Sequence, residues 1–216
     1  MASEDDHALV ENGILPLSKV KDYPSHIRFR PPPLILTPRL RLRYAIEDDI
    51  PVIHTFLAQE ETMKFMYSKV SLSLADSERW YKSRFVKDPV TGTGGGDFIY
   101  LICLRDGDAE GKPIGTAGSR GAPQLGYQIG AGPQYWGKGY GSEAIGAIIQ
   151  GICQTIRAEK QEGWEDAYVQ VKIEDDNIGS LKVAEKVGMK KFEDGCRIEY
   201  GKLIIEYRYY VRDSLA

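Results

Sequence analysis

Apolar positions along this chain switch between a period of two and a period near 3.6, and the switches mark its elements. From Leu36 to Tyr44 leucine alternates with arginine or threonine, as in a strand with one wet face. Ile50, Ile53, His54 and Leu57 then recur on one side of a helix that Asp48 or Asp49 can cap. Gln59 to Met66 reads as an irregular or helical link, and a further helix starting at Asp76 or Ser77 carries Trp80 and Phe85. Phe98–Arg105 and Ile114–Arg120 flank turn residues at Asp106-Gly107-Asp108 and Gly111-Lys112-Pro113, which predicts antiparallel neighbours. Leu125 to Gly130 is one more strand, and Ala144 to Ile156 returns to helical spacing. Ala167 to Ile173 is a strand, followed by a helix from Asn177 whose stripe of Val183, Ala184 and Val187 ends at Gly188. Arg197–Tyr200 and Leu203–Arg212 meet at a Gly201-Lys202 turn. The order β, α, α, β, β, β, α, β, α, β, β, without internal repeat, predicts a mixed α/β sandwich.

The candidate chemistry sits where the strand at Leu125 turns into the next helix. Gln134 to Ala144 read Gln-Tyr-Trp-Gly-Lys-Gly-Tyr-Gly-Ser-Glu-Ala. Gly137, Gly139 and Gly141 let the backbone bend sharply and approach a ligand, while the unpaired first amides of the helix point at an anion. Two other phosphate-binding turns do not fit. A Walker loop ends in Gly-Lys-Ser/Thr, whereas Lys138 lies between two glycines; a dinucleotide fingerprint needs Gly-x-Gly-x-x-Gly near the start of a βαβ unit.

Gly-x-Gly-x-Gly between aromatic residues, late in the chain and after several strands, resembles the acyl-coenzyme A loop of the GNAT superfamily of N-acetyltransferases. A second segment strengthens the likeness. Asn177-Ile178-Gly179-Ser180, running on to Gly188-Met189, is similar to the family's Asn-x-x-Ser helix and follows a strand as the family requires. Leu36-Thr37-Pro38-Arg39-Leu40-Arg41-Leu42-Arg43 is similar to the first strand of the ribosomal-protein N-terminal acetyltransferase branch. Together the matches run from about Leu34 to Arg212. The resemblance implies a central, mostly antiparallel sheet flanked by helices, and an acetyl-CoA-dependent enzyme that moves an acetyl group directly to a primary amine without an acyl-enzyme.

It also implies roles. Backbone amides from Gly137 through Lys138, Gly139, Tyr140 and Gly141 to Ser142 would bind the pyrophosphate, the strand edge at Gln128 and Ile129 would pair with the pantetheine arm, and Asn177 would contact pantetheine. Lys138, Lys182 and Lys186 are the candidate counter-charges. Trp136 stands where the superfamily usually has Gln or Arg, which the ribosomal-protein branch tolerates. Ala184 stands where many members carry the tyrosine that protonates the leaving thiolate, and Ser180 fills the position proposed as its substitute. Ser180 as an ordinary first-turn residue is the alternative. Glu199 is the first candidate for general base, with Glu206, Glu60 and Glu61 behind it. The acceptor expected is a protein or peptide α-amine. A small amine, or a catalytically weak acyl-CoA-binding module, are the alternatives, the latter supported by the missing tyrosine at 184.

Composition narrows the setting. A content of 42% hydrophobic residues suffices for a core, and a net charge of -3 argues against a nucleic-acid surface. The longest apolar run, Phe98 to Leu104, is too short for a bilayer, and no signal peptide opens the chain. Three cysteines, Cys103, Cys153 and Cys196, lack a Cys-x-x-Cys pair, so reduced thiols are the simplest reading, in a cytoplasmic protein with the nucleus left open. Residues 1–33, acidic at first and ending in Pro31-Pro32-Pro33, read as an arm, disordered in part or packed on the domain spanning 34–216. A monomer or a homodimer fits. His7, His26 and His54 have no metal-spaced partners, so no metal is expected. Thr91 to Gly96 reads as a flexible connector, Cys196 as a packed thiol, and Tyr207, Tyr209 and Tyr210 as sheet residues.

Overall fold

A computed structural model describes residues 29–66, 73–85, 98–105, 111–119, 121–160, 162–199 and 201–215. The alternating stretch at the start is a hairpin and not one strand: β1 (Leu34–Leu36) turns into β2 (Leu40–Tyr44). Pro38 has no N–H for a ladder. Thr37 closes the turn, its amide donating to Leu40 O and its Oγ1 accepting from Leu40 N, both at 2.9 Å. Helix α1 (Ile50–Leu57) follows, but Asp49 does not cap it. Its carboxylate instead receives Arg43 at 2.6 and 2.7 Å and the Ile46 amide at 2.9 Å. The expected link contains a short helix, α2 (Glu60–Met63). Helix α3 (Leu74–Phe85) begins earlier than expected because Ser73 Oγ accepts from the Asp76 amide at 3.1 Å, which makes Ser73 the cap.

Strands β3 (Ile99–Leu104) and β4 (Pro113–Ser119) pair antiparallel as expected; the Asp106-Gly107-Asp108 turn, like the Thr91–Gly96 run, lies outside the described residues. Strand β5 (Leu125–Gln128) stops short of Gly130, and α4 (Tyr140–Glu159) extends beyond the periodic stretch at both ends. The chain continues through β6 (Tyr168–Glu174), α5 (Ile178–Lys186), β7 (Lys190–Lys191), β8 (Arg197–Glu199) and β9 (Lys202–Tyr210). β7 is an addition: two exposed lysines carry no strand pattern, and pairing with Tyr207 and Arg208 of β9 defines them.

β1 to β5 form one antiparallel sheet in sequence order, and β6, β9 and β7 form another, with β8 on β9. The sheets meet where Gln124 bridges Gln170 in parallel and the Gln170 amide donates to Pro123 O at 2.9 Å. Beyond that point β5 and β6 part. Residues of β3 alternate between two cores: Ile99, Leu101 and Cys103 pack with α1 and α3, whereas Tyr100, Ile102 and Leu104 belong to the core beneath α4. That is why all six are buried. Ile145, Ile148, Ile149 and Ile152 seat α4 on the sheet, each contributing up to about 1.5–3 kcal/mol by leaving water. Phe29 joins the same core, and the Tyr44 hydroxyl donates to Pro31 O at 2.7 Å. Residues 1–28 lie outside the described residues. No helix among the described residues is long and apolar enough to cross a membrane.

Candidate active site

The parting of β5 and β6 opens a cleft of about 870 Å³ between the two sheets, and the N-termini of α4 and α5 point into it. Its walls bring together Gln128, Ile129, Trp136, Gly137, Gly139, Tyr140, Gly141, Ser142, Asn177 and Ser180. Gln128 and Ser180, 52 positions apart in sequence, therefore share one site. Four of the expected residues, Lys138, Glu199, Glu206 and Glu60, stand apart from these walls. Lys138 turns its ammonium toward the Tyr135 ring, and Glu199 is ion-paired with Arg197.

Local chemistry explains the loop. Gly137 and Gly139 adopt φ of +71° and +83°, values that a side chain disfavours. Gly139 precedes the first turn of α4, so the amides of Tyr140, Gly141 and Ser142 have no partner inside the helix and face the cleft with its dipole. Trp136 pins the loop to the strand, its indole Nε1 donating to Ile129 O at 2.7 Å. On the opposite wall Asn177 Oδ1 caps α5 by accepting from the Ser180 amide at 3.2 Å, which fixes Ser180 in the first turn.

Two contributors carry no site role in the sequence reading, although Arg39 lies in the segment that resembles the branch's first strand. Arg39 reaches over the loop from the β1–β2 turn: it lies 4.8 Å from the centre of the Tyr140 ring and donates to Lys138 O at 3.0 Å. Arg39, ion-paired with Glu143, and Lys186 are the cations beside Gly139, and Lys182 and Lys186 line the cleft. The other is Tyr127, whose hydroxyl is buried beside Ser180 without a hydrogen-bond partner; burial pushes its pKa up to about 12. Its strand position was legible, its contact with the Asn177 helix was not.

The remaining charges sort the candidate bases. Glu206 is buried and receives Arg208 Nε at 2.7 Å. Glu61 lies on the cleft wall, as does Glu174, which is bridged by Lys202. Lys172 shares that wall, and burial together with nearby Arg197 lowers its pKa. His54 bonds Ser77 Oγ at 2.9 Å between α1 and α3, and Cys103, Cys153 and Cys196 are free thiols.

A strand edge, a glycine turn feeding a helix, and a second capped helix across a cleft suit a long, thin, anionic cofactor. The family model of the acetyltransferase (GNAT) domain matches residues 39–190. This chain belongs to the GNAT acetyltransferase family. It is an N-acetyltransferase that uses acetyl-CoA. An acetyltransferase of the GNAT family from Bacillus anthracis is 21% identical, with a TM-score of 0.56, covering 82% of this chain and 96% of its own. The Salmonella typhimurium enzyme that modifies the N-terminal serine of ribosomal protein L7/L12 is 17% identical at 0.59, covering 81% and 96%. Spermidine N-acetyltransferase from Vibrio cholerae, bound to CoA and spermine, is 14% identical at 0.62, covering 83% and 100%. At these identities the likeness carries the GNAT fold.

Proposed function

We propose that this GNAT enzyme acetylates the α-amino group of a protein or peptide in the cytoplasm. The observation that carries the reading is the character of the cleft beyond the thioester position. It is open, and Glu61, Lys64, Phe65 and Lys172 give it mixed charge with an apolar surface. A polyamine site would need concentrated negative charge, whereas an extended peptide needs room and a few polar groups.

In the reaction the neutral amine attacks the thioester carbonyl, the new N–C bond gives a tetrahedral oxyanion, and its collapse re-forms the C=O as the C–S bond breaks. The nitrogen loses a proton to a base or solvent while the thiolate leaves. The amides at the free edge of β5, around Gln128 and Ile129, polarise the carbonyl. The first amides of α4, from Gly137 to Ser142, hold the pyrophosphate, with Arg39, Lys182 and Lys186 opposing its charge. Ser180 donates a hydrogen bond to the departing sulfur, and Asn177 both caps α5 and presents its amide to pantetheine. An α-amine of pKa about 8 costs only ~1.4 kcal/mol to deprotonate at pH 7, against ~4.6 for a lysine near 10.4. A solvent-relayed base suffices for the α-amine, and Glu61, on the wall, is better placed for it than Glu199.

The test is the rate of CoA thiol release from acetyl-CoA with a panel of amines. A hexapeptide with a free N-terminal serine is expected to exceed spermidine and an aminoglycoside at least tenfold in kcat/KM, a difference of about 1.4 kcal/mol. The same peptide blocked at its N-terminus but carrying lysine should be slow. A preference for spermidine would overturn the acceptor assignment, and turnover with none would leave a binding module.

A further inference from the structure

We propose that Lys172 is a specificity-determining residue of the acceptor site, pairing with a carboxylate on the second residue of the peptide whose amine is acetylated. The inference rests on the peptide reading above and adds to it the charge of the acceptor. Alternation along β6 turns Val169, Val171 and Ile173 into the core beneath α4 and leaves Lys172 on the other face, half-buried, on the cleft wall. Its partner in register across the sheet is Glu206, and Arg197, Arg208 and Glu199 stand around the two. Those neighbours satisfy one another. Arg208 Nε donates to Glu206 at 2.7 Å, Arg197 is ion-paired with Glu199, and Glu174, next on the same face, is bridged by Lys202. The three carboxylates are thus taken up by Arg208, Arg197 and Lys202, which leaves Lys172 as the unmatched cation of the group among the described residues.

A cation partly withdrawn from water and left unmatched is costly unless a ligand brings the opposite charge. Its place says which ligand. Gln124 bridges Gln170 in parallel where the sheets join, so two residues further on Gly126 and Lys172 come level across the cleft. The thioester carbonyl is polarised around Gln128, two residues on again, a separation of about 7 Å along a strand. From the amino group of an extended peptide to the side chain of its second residue is a comparable span. The glycine loop lies in the opposite direction along the chain, past Ile129, so Lys172 is out of place as a counter-charge for the phosphates of the cofactor. Burial and Arg197 now lower the Lys172 pKa, and a carboxylate brought to its ammonium would oppose both causes. A polyamine would instead set a further positive charge beside Lys172 and Arg197.

The experiment crosses peptide charge with enzyme charge. Serine hexapeptides with aspartate or asparagine at the second position, and a control pair with the same exchange at the fifth, are acetylated by the wild-type enzyme, Lys172→Met and Lys172→Arg. The readouts are kcat/KM from CoA thiol release and the melting temperature. The wild-type enzyme is expected to prefer aspartate at the second position about five- to thirtyfold, and to be indifferent at the fifth within about twofold. In Lys172→Met the preference should fall below about twofold, with the melting temperature held or raised because an unmatched cation is removed. Lys172→Arg keeps the charge and should keep most of the preference. Equal turnover of the aspartate and asparagine peptides by the wild-type enzyme would overturn this inference and leave the peptide reading standing. A preference that survives intact in Lys172→Met would assign the carboxylate to another cation and overturn it as well. No turnover of any peptide beside acetylation of spermidine would remove the peptide reading, and this inference with it.

Discussion

At the scale of single residues, the site depends on what side chains leave out as much as on what they supply. Gly139 is the sharpest case. Its φ of +83° is costly for any residue with a Cβ, by roughly 1–2 kcal/mol, and more for a β-branched one. An added Cβ would lie 3.4 Å from Arg39 Nη2 and 3.8 Å from Lys186 Nζ, in the space between the cations where the pyrophosphate belongs. Gly139→Val is therefore expected to abolish acetyl-CoA binding in calorimetry and to lower the melting temperature by several degrees. Gly137→Ala separates the two effects, because nothing lies within 4 Å of a Cβ there: strain alone remains, and most of the affinity should survive. Unaltered affinity in Gly139→Val would mean that the loop is only structural. Ser180 shows the converse. It is marked by its spacing from Asn177, whose side chain accepts from its amide.

Between elements, the contacts that align the cleft come from the segment farthest from it in sequence. Glu143, in the first turn of α4, accepts from Thr37 Oγ1 at 2.5 Å, the Arg39 amide at 3.0 Å and Arg39 Nε at 2.7 Å, which ties the β1–β2 turn to the helix that binds the anion. Burial alone would raise the Glu143 pKa, but Thr37 and both Arg39 donors outweigh it and hold the carboxyl below its ordinary range. A depressed folded pKa means stability that is full above the unfolded value, about 4.3, and is lost as pH falls through the folded value. Glu143→Gln should cost about 1–3 kcal/mol at pH 7, and its deficit should shrink as pH falls below 4. Urea melts of both proteins at pH 7 and 3.5 check this; a deficit that does not change with pH would assign it to packing. This tie was not legible in the sequence, where Leu36 to Tyr44 reads as one strand, because a turn closed by Thr37 does not break the alternation of leucines. The helices at Ile50 and Asn177 and the strand pairs around β4 were legible, since their periods are long and their ends carry glycine, proline or a capping side chain. β7 and the start of α3 depended on partners: a neighbouring strand, and a serine cap three residues before Asp76.

At the scale of the whole molecule, the two sheets, among the described residues, are bridged at Gln124 and Gln170 and then diverge, so the cleft proposed to bind acetyl-CoA runs along the seam between them. Acetyl-CoA lying along it would contact β5, β6 and the first turns of α4 and α5 at once, and so act as the missing join. A ligand that binds the folded state alone adds about 2.7 kcal/mol at 100 times its Kd, which for a chain of this size raises the melting temperature by roughly 5 to 10 °C. ATP and a nicotinamide dinucleotide, which share the phosphates but lack the pantetheine arm, should shift it far less. Amide hydrogen exchange locates the gain. Protection should rise together at Gly137–Ser142, at residues 127–129 and at residues 171–174, on both sides of the seam, with little change in β1 and β2. Slowing confined to the glycine loop would mean that only the phosphates are held and the arm lies elsewhere. Matched slowing of both sheets would show that the cofactor completes the structure across which the amine must approach.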